Sequence, residues 1–199
     1  FLIKNNLSLN RLDSTIKPTN GDLANFENVF SPVTNSTDGF TKNTLLLKKY
    51  YSRSHNIYAF QGLLGNIFSL QNETVDNSDK FSLGGRWLRG FDNYGAGPRD
   101  SASSYIGGNN LIASKFDFLR PLDKFSDNPI YINVFADAGK VWSNKTTPTF
   151  NNDSIRSSYG FGLNYYSPIG PIGFSWAFPL QDESEDIKRM FTFTIGNLN

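Results

Sequence analysis

The chain has 199 residues, a formal net charge of +1 and no cysteine. The missing cysteines exclude a disulfide framework, a thiolate nucleophile and a cysteine-based zinc site, and the near-neutral charge, without a polybasic run, gives no electrostatic case for nucleic acid. A hydrophobic share of 38% and a mean hydropathy of −0.39 match water-soluble domains, but a membrane barrel meets lipid only at alternate positions, so an average conceals it.

Composition leaves the pattern to decide. The eighteen Phe, nine Tyr and three Trp are strand formers and, in membranes, interface anchors. No apolar run approaches the roughly 18 residues that a membrane helix requires, so this chain would cross a bilayer only as a β-barrel. It opens at Phe1 inside an alternating run, without an initiator Met or a signal peptide, and is expected to be part of something longer.

Taken in chain order, period-two alternation and turn residues predict nine strands, near residues 1–11, 22–31, 43–52, 56–68, 109–120, 130–142, 154–166, 171–179 and 188–198. Most match the span of a bilayer-crossing strand. The alternation is clearest late in the chain. Ile155, Ser157, Tyr159, Phe161, Leu163 and Tyr165 share one face and Arg156, Ser158, Gly160, Gly162 and Asn164 the other. Ile172, Phe174, Trp176 and Phe178 then oppose Gly173, Ser175 and Ala177, and Phe191, Phe193 and Ile195 oppose Thr192 and Thr194. Large residues on one face and small or polar ones on the other suit a barrel with a crowded, wet interior, whereas a soluble sandwich would bury the large ones.

The connections alternate as well. Compact turns are expected at Pro18-Thr19-Asn20-Gly21, at Ser52 to His55 and at Ser167-Pro168-Ile169-Gly170, and 122–129 is intermediate. Long polar loops join the other ends. In outer-membrane barrels the short turns are periplasmic and the long loops external, which would put the carboxy terminus in the periplasm. Nine strands do not close an antiparallel meander, and open edges in hydrocarbon cost several kcal/mol per unsatisfied group. Further strands are therefore expected upstream.

The longest connection, about 70–108, contains Leu83-Gly84-Gly85-Arg86-Trp87-Leu88-Arg89-Gly90-Phe91, then Gly95-Ala96-Gly97-Pro98-Arg99 and Gly107-Gly108. Its glycine and aromatic content predicts a folded hairpin rather than a solvated tether. It lacks the GxxxxGK[ST] phosphate loop. The one histidine, His55, falls in a predicted turn, no catalytic Ser-His-Asp set is visible, and no metal site or cofactor is expected.

Leu88-Arg89-Gly90-Phe91 resembles the (V/L)RGF motif at the tip of the sixth external loop in BamA-type outer-membrane assembly factors, the bacterial surface antigen family. Gly84-Gly85, Gly97-Pro98, Gly107-Gly108-Asn109, the run Phe135-Ala136-Asp137-Ala138-Gly139-Lys140-Val141-Trp142, Ser167-Pro168-Ile169-Gly170-Pro171-Ile172 and Pro18-Thr19-Asn20-Gly21 follow in the family's order. The resemblance covers essentially the whole chain. It implies strands eight to sixteen of a sixteen-stranded antiparallel barrel, with the first strands and periplasmic POTRA domains upstream.

It also implies that Arg89, with Gly90 and Phe91, docks an inward-folded loop on acidic residues of the twelfth and thirteenth strands. Asp117 and Asp137 fall on the polar faces of those strands, where a planar guanidinium can bridge them. The implied work is insertion of unfolded β-barrel clients into the lipid bilayer, aided by accessory lipoproteins. It would proceed through a lateral gate whose strand holds Phe191, Phe193, Ile195 and Gly196. A TamA-like or two-partner secretion transporter and a passive porin are the alternatives. The chain departs from the family's usual aromatic last residue by ending at Asn199.

Overall fold

In a computed structural model, residues 2–34, 39–71, 75–122, 130–143, 154–167 and 170–196 are described. Nine antiparallel strands form one meander: β1 (Ile3–Asn10), β2 (Gly21–Ser31), β3 (Phe40–Arg53), β4 (Asn56–Ser69), β6 (Asn110–Pro121), β7 (Ile130–Trp142), β8 (Arg156–Ser167), β9 (Gly170–Gln181) and β11 (Phe191–Ile195). Two short strands, β5 (Gly90–Phe91) and β10 (Lys188–Arg189), make a separate two-stranded sheet. β1 and β11 are the free edges of the large sheet, which does not close on itself among the described residues.

Alternation translates directly into exposure. Along β7, Ile132 and Val134 are exposed while Tyr131, Asn133, Phe135 and Asp137 are buried. β8 and β9 repeat this with Tyr159, Phe161, Phe174, Trp176 and Phe178 on the open face. Their rings pack against one another along it, with Phe161 and Trp176 stacked at 5.6 Å, and β11 extends the array through Phe191 and Phe193. Such a continuous aromatic and aliphatic outer surface is stable in lipid, not in water. Among the described residues no helix is long and apolar enough to cross a membrane.

The inner face is filled by the β4–β6 connection. Its Val75, Phe81, Leu83, Leu88, Phe91 and Ala96 join Leu63, Ile67, Leu111, Ala113 and Val141 of the wall in one buried cluster. Wall glycines make room for it: a Cβ on Gly65 would lie 2.5 Å from the Phe81 ring, and one on Gly139 would lie 3.0 Å from Leu83. The connection is held by bridges between Phe81 and Gly108, Leu83 and Ala96, and Arg99 and Tyr105. The connection is thus a folded insert, the form that its glycine and aromatic content predicts.

Three expected elements need correction. The run 188–198 is not one strand: Lys188–Arg189 pair with Gly90–Phe91 of the insert, and only Phe191–Ile195 join the wall beside β9. The four-residue turn at Pro18 is the end of a ten-residue connection, 11–20. It is tied by Asp13 accepting from the Thr19 amide at 2.8 Å and the Thr19 hydroxyl at 2.5 Å, which leaves Pro18 buried. The third strand begins at Phe40, three residues before its expected start. The turn at Ser54 and His55 is tight, with both residues at positive φ and His55 exposed. Pro168, Ile169, most of 122–129 and Asn199 lie outside the described residues.

Candidate functional site

The site lies where the insert meets the inner face of β6 and β7. Leu88 and Phe91 are buried on either side of Arg89, so hydrophobic packing fixes the backbone that carries the guanidinium. Asp117 of β6 pairs across the sheet with Phe135, and Lys115 pairs with Asp137 of β7. Opposed residues share a face, so Lys115, Asp117, Phe135 and Asp137 all point inward and the two carboxylates stand diagonally to one another.

Arg89 fills the space between them. Its Nε and Nη2 donate to the two oxygens of Asp137 at 2.7 and 2.6 Å, and its Nη1 and Nη2 donate to those of Asp117 at 2.6 and 3.1 Å. The Arg89 backbone N–H adds a bond to Asp137 at 3.0 Å. Asn133 donates to Asp117 at 3.1 Å. The guanidinium carbon lies 3.6 Å from the centre of the Phe135 ring, stacked on its face.

The Arg89 side chain is 13% exposed, that of Asp117 11% and that of Asp137 0%. At that burial each charge is tolerable only because the others are present. Burial works against the Arg89 charge, but Asp117 and Asp137 more than offset it, so the guanidinium holds its proton more firmly than a free arginine. Lys115, itself buried, supplies a second cation beside the two anions. Arg89, Lys115 and Asp117 line a lumen cavity of about 290 Å³ with Asn133, Ser175 and Thr192, while Asp137 is sealed from it. Arginine is the suited residue here, because a planar fork satisfies two carboxylates in place where an ammonium cannot.

Sequence reasoning named Arg89, Asp117 and Asp137, and the structure brings the three together. Gly90 and Phe91 follow Arg89 in β5, Gly90 at positive φ and against Ser158, Ala177 and Pro179 of the wall. Phe191, Phe193 and Ile195 lie in β11 with outward side chains, while Gly196 falls just beyond its end. The Phe135 platform was not foreseen, although its parity with Asp137 places it on the same face.

Two further buried arginines were also not foreseen. Arg99 donates to the carbonyls of Ser103, Tyr94 and Gly95, at 3.0 to 3.3 Å, and so pins the insert's second half. Burial pushes the nearby Tyr105 hydroxyl up to about 12, so it stays neutral and accepts from the Leu83 amide. Arg156 binds Asp186 at 3.0 Å with both side chains 1% exposed. A lone arginine on the small-residue face of a strand was the available signal for it.

The arrangement holds the backbone of the insert against the wall. No group of three or more potential metal ligands occurs among the described residues.

An open antiparallel wall with an inward insert pinned by an RGF arginine defines a class of outer-membrane barrel. The Omp85 superfamily domain matches residues 1–198, and the chain belongs to that superfamily. It is 27% identical to the outer membrane protein assembly factor BamA of Neisseria meningitidis over 94% of its length, and 27% identical to BamA of Neorickettsia risticii over 95%. It is 26% identical to the sorting assembly machinery 50 kDa subunit of Saccharomyces cerevisiae, again over 94%.

Among solved structures it resembles BamA from Haemophilus ducreyi lacking POTRA domains 1–3, with a TM-score of 0.85 and 26% identity. That match covers 97% of this chain and 41% of the other. The chain spans 27% and 26% of the lengths of the two BamA relatives.

Proposed function

We propose that this chain is the carboxy-terminal wall of an outer-membrane protein assembly factor that folds and inserts β-barrel clients. The observation that carries the reading is the Arg89 clamp, which fixes a folded insert inside an Omp85 wall. The relatives matched are named for assembly, which favours this reading over a two-partner or TamA-like transporter and over a passive porin.

Nine strands with open edges require partners in hydrocarbon. Seven more upstream would complete a sixteen-stranded barrel, preceded by POTRA domains. The two-residue connections, 54–55 and 168–169, lie at one end of the meander and the two longest, 70–109 and 143–155, at the other, with the carboxy-terminal end of β11 at the first of these ends, beside Pro171. Short turns belong to the periplasm in such barrels, which supports a periplasmic carboxy terminus, in the outer membrane of a Gram-negative bacterium.

The lateral gate is the edge of β11. Among the described residues its five residues pair with β9 alone, and the seam that opens is the one its free edge makes with the first strand of the barrel. An incoming client strand would then pair by backbone hydrogen bonding, which is β-augmentation within the membrane. The partners are unfolded barrel proteins, the bilayer and accessory lipoproteins, with no cofactor and no covalent chemistry.

The test is Arg89→Ala in the full-length protein in cells. Outer-membrane levels of several unrelated barrels should fall several-fold while the variant itself is still produced. Unchanged client levels with normal growth would refute the assembly role of the clamp.

A further inference from the structure

The segment leading into the last strand belongs to the insert, not to the wall. Lys188 pairs with Phe91 and Arg189 with Gly90. The Asp92 amide donates to Ile187 O at 2.8 Å and the Ile187 amide to Gly95 O at 2.9 Å. Arg189 also reaches Asp92 at 2.7 Å. A Cβ on Gly95 would lie 2.5 Å from Ile187 O, so the two backbones are in close contact.

The chain leaves the wall for a reason visible in the ladder. Ala177 N–H donates to Met190 O at 2.8 Å. Along an antiparallel strand the donors facing one edge recur every second residue, so the next donor toward that edge would be residue 179. It is a proline and has no N–H. The wall therefore offers Lys188 one bond fewer than usual, while the insert offers a paired edge.

The segment is also held from behind. Asp186 accepts from Arg156 at 3.0 and 3.3 Å and from the Glu183 amide at 2.9 Å. This pair joins the turn 182–187 to the first residue of β8, in a site closed to solvent.

We propose that residues 182–190 form a latch through which the docked insert positions the last strand, and that this latch must release for that strand to swing at the gate. Asp92, Arg189, Arg156 and Asp186 are its positioning residues. Arg89 anchors the insert to β6 and β7, and the same insert grips the residues entering β11. The clamp and the open edge are thereby one mechanical unit, so that β11 cannot swing away without unpairing Ile187 and Arg189 from the insert. This deepens the gate reading and rests on it for its functional arm.

Two measurements on the full-length protein in lipid vesicles decide the matter. The first is hydrogen exchange of residues 187–195 in Asp92→Arg, Arg189→Asp, the double reversal and Arg89→Ala. Either single reversal should speed exchange there about tenfold, the double reversal should return it toward wild type, and Arg89→Ala should speed it although Arg89 touches none of these residues. Exchange unmoved by the single reversals and by Arg89→Ala would overturn the latch, as would a double reversal that exchanges as fast as the singles.

The second uses an Asp92→Cys, Ile187→Cys pair, placed where opposed strands bring Cα atoms within disulfide reach, and so acts on protein already folded. Insertion of an unfolded barrel client into the vesicles should fall at least tenfold on oxidation and recover on reduction. An unchanged rate with the disulfide formed would overturn the requirement for release. A wild-type protein that inserts no client refutes the assembly reading alone, because exchange still judges the latch.

Discussion

At Arg89, one guanidinium satisfies two carboxylates and stacks on Phe135. Breaking a fully buried pair costs roughly 3–5 kcal/mol, mostly by stranding the remaining charges, and here removal of Arg89 would leave Asp117 and Asp137 facing each other. Arg89→Lys keeps the charge but replaces a planar fork by a point donor. Proteolysis of the insert in intact vesicles should therefore accelerate in Arg89→Lys nearly as much as in Arg89→Ala. Retention of wild-type resistance by the lysine variant would mean that charge alone docks the loop. In a cycle of Arg89→Ala and Asp137→Ala, the coupling in stability should be about 2 kcal/mol, since contacting residues in one network couple by up to about 3 kcal/mol. Gly139→Val makes a separate test of packing, because Leu83 occupies the space a side chain needs. It should loosen the insert without altering any charge.

At the scale of elements, the last strand shows how one residue redirects a chain. The sequence expectation carries the strand back from Phe191 through Lys188 and Arg189, although Arg189 shares the parity of the apolar Phe191 and Phe193 and Met190 that of Thr192 and Thr194. Pro179, on the neighbouring strand, withholds the donor that would keep them in the wall. Pro179→Ala restores that donor. The expected result is that Lys188 and Arg189 move toward the β9 edge, seen as a loss of spin-label proximity between residue 188 and residue 92. Proximity unchanged from wild type would show that the insert's own attraction suffices to hold them. The connection 11–20 departs from its expected form for a similar reason. The Pro18-Thr19-Asn20-Gly21 signal marks a real turn, but Asp13 reaches forward to Thr19 and folds the preceding residues into it.

Over the whole molecule, the two faces of one sheet obey opposite rules. Phe161 stands on the open face near the middle of β8, and Asn164 on the inner face of the same strand. An arginine near the bilayer midplane of a barrel costs roughly 2–4 kcal/mol on the lipid side, while lumen positions tolerate charge. Phe161→Arg should destabilise folding into vesicles by about that amount in urea titrations, and Asn164→Arg by under about 1 kcal/mol. Equal effects would contradict the assignment of the outer face to lipid. The insert supplies the larger of two buried clusters, since Phe81, Leu83, Leu88 and Phe91 occupy space that the wall's own small residues leave open, while Tyr50, Ile57, Ala59, Leu119 and Tyr131 cluster without it.

The amino-acid sequence by itself determined the antiparallel strands, their lipid and lumen faces, and the candidacy of Arg89, Asp117 and Asp137. The strands and faces follow from parity, and the three residues from the resemblance of a short motif to a known family together with parity, all of which are read locally. Only the tertiary structure decided what lies between distant segments: Phe135 beneath Arg89, Asp186 against Arg156, and Arg189 beside Asp92 instead of in the wall. Parity states which face a residue occupies, but register and the path of the insert depend on contacts between residues tens to about a hundred positions apart. The energies that fix those contacts arise from shared burial, which no single stretch of sequence contains.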